Sequence, residues 1–293
     1  MKNNNFIFFG TPDYAVHTLE SLKLSGFLPS LIVCSPDAKV GRKQILTAPP
    51  AKLFALQNNM PILQPTKIDQ ATVDGILKYA PAYAVVAAYG KILPNILLDA
   101  VPYGFLNVHP SLLPKYRGPA PEIAPILNGD TKTGVTIILL DQLVDHGPIL
   151  AQEEIVLNGN EFSHDLAKNL FEIGGKMLVN IIPKWLEGKI NSTDQDHTQA
   201  TLTYKTKKLD AKINLSDDPK ILWAKWRAYY PWPGLYFEID NPHQTKLGAK
   251  PPSKLHVKIN KAIFADNQFT PTLVTPEGKK PITFTEFKKA HKI

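Results

Sequence analysis

Short apolar runs alternate with longer amphipathic stretches over the first two-thirds of the chain. The runs are FIFFG (Phe6–Gly10), PSLIVCS (Pro29–Ser35), MPILQP, YAVVAAYG (Tyr83–Gly90), GFLNVH and GVTIILLD (Gly134–Asp141). Several are unbroken and rich in Val and Ile, the pattern of strands covered on both faces of a parallel sheet. Between them, DYAVHTLESLKLSG reads as a helix closed by Gly26, and APPAKLFALQNN as one opened by Thr47 and prolines. Alternation of this kind predicts an α/β fold with a doubly wound, mostly parallel sheet. A long helix is expected from Glu161 to about Gly188, with Leu166, Leu170, Ile173, Met177, Leu178 and Ile181 along its stripe and Asn160 as cap. Pro183 should kink it or end its main part.

The pattern then changes. INSTDQDHTQATLTYK, residues 190–205, is polar with little periodicity and reads as a linker. Beyond it one helix is expected at Asp218–Tyr230, followed by a PWPG turn. Short strand patterns recur after that turn: LYFEI, KLHVKI, AIFAD and TPTLVTPEG. They predict a small β-barrel of OB type, so the expected division is a catalytic α/β domain over 1–189 and a barrel over 206–293. The chain stops soon after the barrel's last strand pattern, at KKAHKI, which leaves open whether the barrel has a final element.

Composition adds limits. Of 293 residues, 44% are hydrophobic and 20% charged, as in a soluble globular protein. No apolar run approaches the length of a membrane span. The start, MKNNNFIFFGTPD, turns at Gly10-Thr11-Pro12 and is expected to be a first strand, not a signal peptide. Cys34 is the single cysteine, which allows no internal disulfide and points to a reducing cytoplasm. Net charge is +7, yet the stretch from Thr206 onward holds 16 Lys/Arg against 8 Asp/Glu. The positive excess therefore sits in the last third. That asymmetry suggests a polyanion partner, nucleic acid first, with a lysine-coated soluble surface as the bland alternative.

Candidate chemistry gathers where strands end. The first βα turn, FFGTPDYA, lacks G-x-G-x-x-G, and no G-x-x-x-x-G-K-[ST] occurs, so NAD or ATP bound in the usual ways is not expected. Asn107 and His109 are two apart at the end of a predicted strand and share a face toward the crevice of the sheet. An amide donor beside a titratable donor suits an oxyanion in acyl transfer. The following strand leads to Asp141 and Asp145, and convergence of strand ends would bring Asp145 to His109 as orienter and proton relay. A serine hydrolase built on Ser111, His109 and Asp145 lacks a G-x-S-x-G elbow. A zinc site from His109, His146 and Asp145 lacks any supporting spacing, and no metal is expected. Attack of an amine or hydroxyl on a bound acyl donor needs only an oxyanion site and a base, and is favoured.

NVHPSLLPKYRGPAP resembles the SLLPxxRG signature of the folate-dependent formyltransferases. Within that family the chain is most similar to the branch acting on methionyl-initiator-tRNA. The similarity runs through FFGTPDYAV, SPDAKVGRKQILTAPPAKLFA, VVAAYGKILP and TGVTIILLDQLVDHGPIL, then TYKTKKLDAKINLS, RAYYPWPGLYFEI and VTPEGKKPITFTEF. The resemblance implies formyl transfer from 10-formyltetrahydrofolate to the α-amino group of methionine on initiator tRNA, releasing tetrahydrofolate. It implies Asn107, His109 and Asp145 as catalytic residues. Tyr89, Gly90, Leu93, Ser111, Leu112, Leu113, Pro114 and Asp141 would line the folate pocket. Lys39, Arg42 and Lys43, within SPDAKVGRKQ, would meet tRNA phosphates. Arg117 is grouped with them, or else holds its own loop. A free α-amino group titrates at about 7.7–8.0, so no strong base is needed.

The chain departs from the family at Asp145-His146-Gly147-Pro148, where Asp-Thr-Gly-Asp is usual, and different loop hydrogen bonds are expected there. Tyr229, Tyr230 and Trp232 are expected to pack a seam between domains and not to stack bases. A cytoplasmic monomer is expected. Two other readings stay open: a formyltransferase acting on a nucleotide-linked amino sugar, and a tRNA-binding protein that keeps the scaffold without turnover.

Overall fold

A computed structural model describes residues 5–41, 43–240 and 254–292. The chain divides into two compact units, one built from residues up to 122 with 132–156 and 165–204, the other from 123–131, 157–164 and the chain from 205 onward. In order, the elements are β1 (Phe6–Gly10), α1 (Asp13–Leu24), β2 (Leu31–Val33), β3 (Ala38–Val40), β4 (Ile45–Thr47), α2 (Pro50–Gln57), β5 (Ile62–Leu63) and α3 (Gln70–Leu77). β6 (Tyr83–Ala87), α4 (Asn95–Leu98), β7 (Phe105–His109), α5 (Ile123–Asn128), β8 (Lys132–Leu139), β9 (Ile149–Val156) and α6 (Ser163–Leu186) follow. The chain continues with α7 (Pro219–Tyr229), β10 (Tyr236–Asp240), β11 (Lys254–Ala265), β12 (Gln268–Pro276), β13 (Ile282–Thr283) and α8 (Phe284–His291).

The first unit is an α/β layer structure around a mostly parallel seven-stranded sheet of order β5-β2-β1-β6-β7-β8-β9. β1, β6 and β7 are buried along their whole length, which is why β1 and β6 are apolar without alternation and β7 is polar only at Asn107 and His109. Ile7, Phe9, Val33, Ala84, Val86 and Phe105 form one core with Val73, Ile76, Leu93 and Leu97. β5, β2, β1, β6 and β7 run parallel. β8 and β9 run antiparallel. That reversal corrects the expected geometry at Asp145. The C-terminal end of β8 lies beside the start of β7, with Leu139 opposite Leu106, so Asp145 is carried back to His109 by the loop 140–148 and not by a strand end.

α6 seats β7 closely. A Cβ on Gly174 would stand 2.3 Å from Cγ1 of Val108, whose side chain leaves the face opposite to Asn107 and His109. Only glycine permits that approach. α6 continues through Pro183 to Leu186, so the proline does not end the helix. The proline falls in the last turns, where the missing N–H costs one bond and Glu187 still donates to its carbonyl at 3.1 Å.

The second unit carries a four-stranded antiparallel sheet of order β10-β11-β12-β13. KLHVKI and AIFAD, read as two strands, form the single strand β11 with irregular register between Ile259 and Ala262. α7 starts at a Pro in the first turn, and Asp218 accepts from the amides of Lys220 and Ile221. α8 begins on a Thr283–Glu286 capping box and buries Phe287. Within this unit Tyr230 packs on Phe162 and Trp226 while 44% exposed. Trp232 is 57% exposed, not packed away as expected.

Candidate active site

β7 delivers Asn107 and His109 to one face of the sheet at its C-terminal end, and both are buried. Nε2–H of His109 donates to the carbonyl of Tyr116 at 2.9 Å, and Nδ1 stands 3.5 Å from Oδ1 of Asp145. Oδ2 of Asp145 accepts the amide of Gly118 at 2.8 Å. The imidazole is thus held between two acceptors, one on each side of the site. Asp145 and Tyr116 adopt positive φ, 48° and 63°, and Gly118 reaches 105°. Backbone held in that region costs about 1–3 kcal/mol per residue and persists only where surroundings enforce it. At Gly118 a Cβ would come within 2.8 Å of the carbonyl oxygen of Thr203. The loop that ends the SLLPxxRG signature is therefore tightly constrained.

Ser111 is not a nucleophile in this arrangement. It is fully buried, and its hydroxyl donates to the carbonyl of Lys115 at 2.7 Å. Thr136 donates to the Ser111 carbonyl and accepts from Leu113 N–H and Gln152 Nε2, pinning the loop to β8. Leu113 is buried; Leu112 and Pro114 are half-buried. Tyr89 and Leu93 lie with their side chains in the core, Tyr89 edge-on to Phe9. Those side chains therefore face the core, and Gly90 between them has φ 77°. Burial pushes the Tyr89 phenol up to about 12, and its hydroxyl has no hydrogen-bond partner among the described residues. Asp141 spends one oxygen on His146 Nδ1 at 2.6 Å and the other on the amide of Leu143. His146, the residue that departs from the family, stacks on His197 with ring centroids 4.0 Å apart.

Arg117 is buried. Its Nε and Nη2 donate to Oε1 of Gln195 at 3.1 and 2.7 Å, and Nη2 also meets Nδ1 of His197 at 2.8 Å. Of its two expected roles, these partners fit the holding of a loop; an RNA contact would require them to be released. Lys39 and Lys43 are exposed on the β3–β4 hairpin, whose six strand residues are all exposed. Arg42 lies outside the described residues. Among the described residues no group of three His, Cys, Asp or Glu side chains could hold a metal ion, and no helix is long and apolar enough to cross a membrane.

Sequence reasoning missed the segment 190–204. Read as a linker, it belongs to the first unit. Thr201 and Thr203 pair with the loop 114–119 through backbone and hydroxyl bonds, and Gln195 is buried. A single buried Gln in a polar, aperiodic stretch leaves no pattern to read.

Comparison with known proteins places the chain in a family. Residues 3–182 match the family model described as formyl transferase. The methionyl-tRNA formyltransferase of Chloroflexus aurantiacus is 44% identical over 231 residues, 78% of this chain and 74% of that one. The methionyl-tRNA formyltransferase of Herpetosiphon aurantiacus is 36% identical over 98% of this chain and 97% of its own length. Among solved structures, methionyl-tRNA formyltransferase from Clostridium thermocellum superposes with a TM-score of 0.60 at 17% identity, covering 96% of this chain and all of that one. An N-formyltransferase from Helicobacter canadensis, solved with folinic acid and dTDP-3-aminofucose, gives 0.59 at 18% identity over 87% of this chain and 95% of its own. These structures share the fold, and the Herpetosiphon relative shares sequence over nearly the whole length; the chain belongs to the methionyl-tRNA formyltransferase family.

Proposed function

We propose that this chain transfers the formyl group of 10-formyltetrahydrofolate to the α-amino group of methionyl-initiator-tRNA. The convergence of Asn107, His109 and Asp145 carries the reading. As the neutral amine attacks the formyl carbon, charge builds on the formyl oxygen, and Asn107 Nδ2 offers a buried donor to it. His109 is engaged at Nε2, but its contact with Asp145 is long. Catalytic hydrogen bonds are often long before substrate arrives, so the Nδ1 side is where the reacting atoms enter. Asp145 accepts the proton that the amine loses once the new C–N bond forms, directly or through water. That proton reaches Nδ1 of His109, which delivers it to the folate nitrogen as the old C–N bond breaks.

The relatives named methionyl-tRNA formyltransferase support tRNA as acceptor. The solved complex with folinic acid supports a reduced folate as donor. The exposed Lys39 and Lys43 meet acceptor-end phosphates, and residues 206–293, with most of the positive excess, form an OB-like module on the tRNA backbone. The enzyme works as a cytoplasmic monomer, in keeping with a single, buried cysteine.

The test is a transfer assay with 10-formyltetrahydrofolate, offering methionyl-initiator-tRNA and a nucleotide-linked amino sugar in parallel. Label on the tRNA alone is expected. Label on the sugar alone would keep the catalytic trio and overturn the acceptor; label on neither would leave a binding scaffold.

A further inference from the structure

The side-chain amide of Gln195 sits at the centre of the strap 193–203 and touches both halves of the site's support. Its Oε1 accepts from Nε and Nη2 of Arg117. Its Nε2 donates to the carbonyl of Asp145 at 3.0 Å and to that of Gly147 at 2.7 Å. The orientation of the amide is fixed by these partners: turned over, it would set N–H against guanidinium N–H and oxygen against two carbonyl oxygens. Gln195 is 5% exposed and Arg117 7%, so neither has water to fall back on.

Asp145 needs such support. Its φ of 48° is unfavourable for a residue with a side chain. It stands in a loop that must return from the far end of β8 to reach His109. The two bonds from Gln195 hold the backbone on either side of His146, while Gly118 N–H fixes the carboxylate. Arg117 in turn locks Gln195, and Nδ1 of His197 accepts from Arg117 and completes the lock.

We propose that Gln195 is a positioning residue for the transfer reaction, acting through Asp145, with Arg117 and His197 as its clamp. The inference rests on the function proposed above. A misplacement of about 1 Å in a catalytic group can cost roughly 100-fold in rate. Gln195 touches no reacting atom, so its loss should appear in kcat and not in substrate affinity.

The decisive variant is Gln195→Glu. It keeps the acceptor for Arg117, adds a charge that suits the guanidinium, and removes both donors to the loop. We expect kcat to fall about 10- to 100-fold, with KM for folate and for tRNA within about threefold of wild type. Exchange of the Gly118 amide, which Asp145 protects, should quicken by about tenfold as the carboxylate loses its place. Gln199→Ala changes an exposed side chain later in the same strap, leaving Arg117, Gln195 and His197 in place, and should leave kcat within about twofold. Retention of wild-type kcat in Gln195→Glu overturns the proposal, as does an equal loss in Gln199→Ala. Should Gln195→Glu not fold, His197→Ala, at an exposed position, loosens the same clamp and must lower kcat by at least about threefold. If wild-type enzyme formylates no tRNA, the proposed function falls, while Gly118 exchange still decides the inference.

Discussion

His109 and Asp145 face each other at 3.5 Å although the strands that lead to them run in opposite directions. The carboxylate is therefore placed by a loop, and one of its oxygens is spent on Gly118 N–H. Asp145→Asn leaves the loop's size and one acceptor in place while removing the charge that receives the proton. We expect kcat to drop by about 100- to 10,000-fold, the range for loss of a positioned acid or base. tRNA binding, measured by filter retention, should stay within about threefold. Asn107→Ala removes a single oxyanion donor and should cost roughly 2.7–4 kcal/mol of barrier. Full activity in either variant would remove that residue from the chemistry.

Gly118→Ala tests the other side of the carboxylate. A methyl group there meets the carbonyl of Thr203 at 2.8 Å, and φ of 105° is a conformation that alanine resists. Either the loop 116–119 or the strap must shift. Stability should fall by about 1–3 kcal/mol in urea titration, and kcat should fall with it because the amide that orients Asp145 moves. A variant of native stability and rate would mean that the loop yields freely.

The buried strands were legible because β1 and β6 are apolar runs, and β7 is apolar except at Asn107 and His109. β9 went unread: residues 153, 154 and 156 are exposed, and its sequence ILAQEEIV carries neither an apolar run nor clean alternation. The β3–β4 hairpin hid in a polar stretch because it buries none of its strand residues. The pairing of Asn107 and His109 followed from strand alternation and a strand end, and their roles with Asp145 were sharpened by a motif. What the motif could not carry was the direction of β8, which depends on tertiary pairing, or the hold of Gln195 on Asp145, fifty positions away in the chain.

Lys39 and Lys43 project from a hairpin with no core of its own. Removing both charges, Lys39→Ala with Lys43→Ala, should weaken tRNA binding and leave the KM for folate unchanged. If each neutralises one phosphate, the slope of log K against log salt should flatten by roughly 1.4–1.8. An unchanged slope would place the phosphates elsewhere.

Cys34 sits at the end of β2 and is buried, which pushes its thiol up to about 11. At pH 8 about one thiol in a thousand is ionised, so the residue behaves as a small hydrophobe. A thiol-specific disulfide reagent should find no reactive group in the native enzyme and one after denaturation. Rapid labelling of the native enzyme would show that β2 opens readily.

Glu122 closes the signature loop and has lost most of its contact with water. Desolvation pushes its carboxyl up to about 7, and its charge in turn helps to raise the nearby Tyr14 phenol. In the unfolded chain the group titrates near 4.3. Between those values the folded state binds more protons than the unfolded state, so stability falls as pH rises from about 4.3 to about 7 and is level above. The residue is partly exposed, which holds the penalty to about 1–2 kcal/mol, below the ceiling set by the full shift. Glu122→Gln abolishes the titration. At pH 8 the variant should be more stable than wild type by that amount in urea titration; at about pH 3.5, below the unfolded value, where Glu122 is protonated in both states, most of the gain should vanish. A gain of equal size at both pH values would show that the glutamine packs better and that the carboxyl titrates normally. A loss at pH 8 would show that the charged form is held by partners and not penalised by burial.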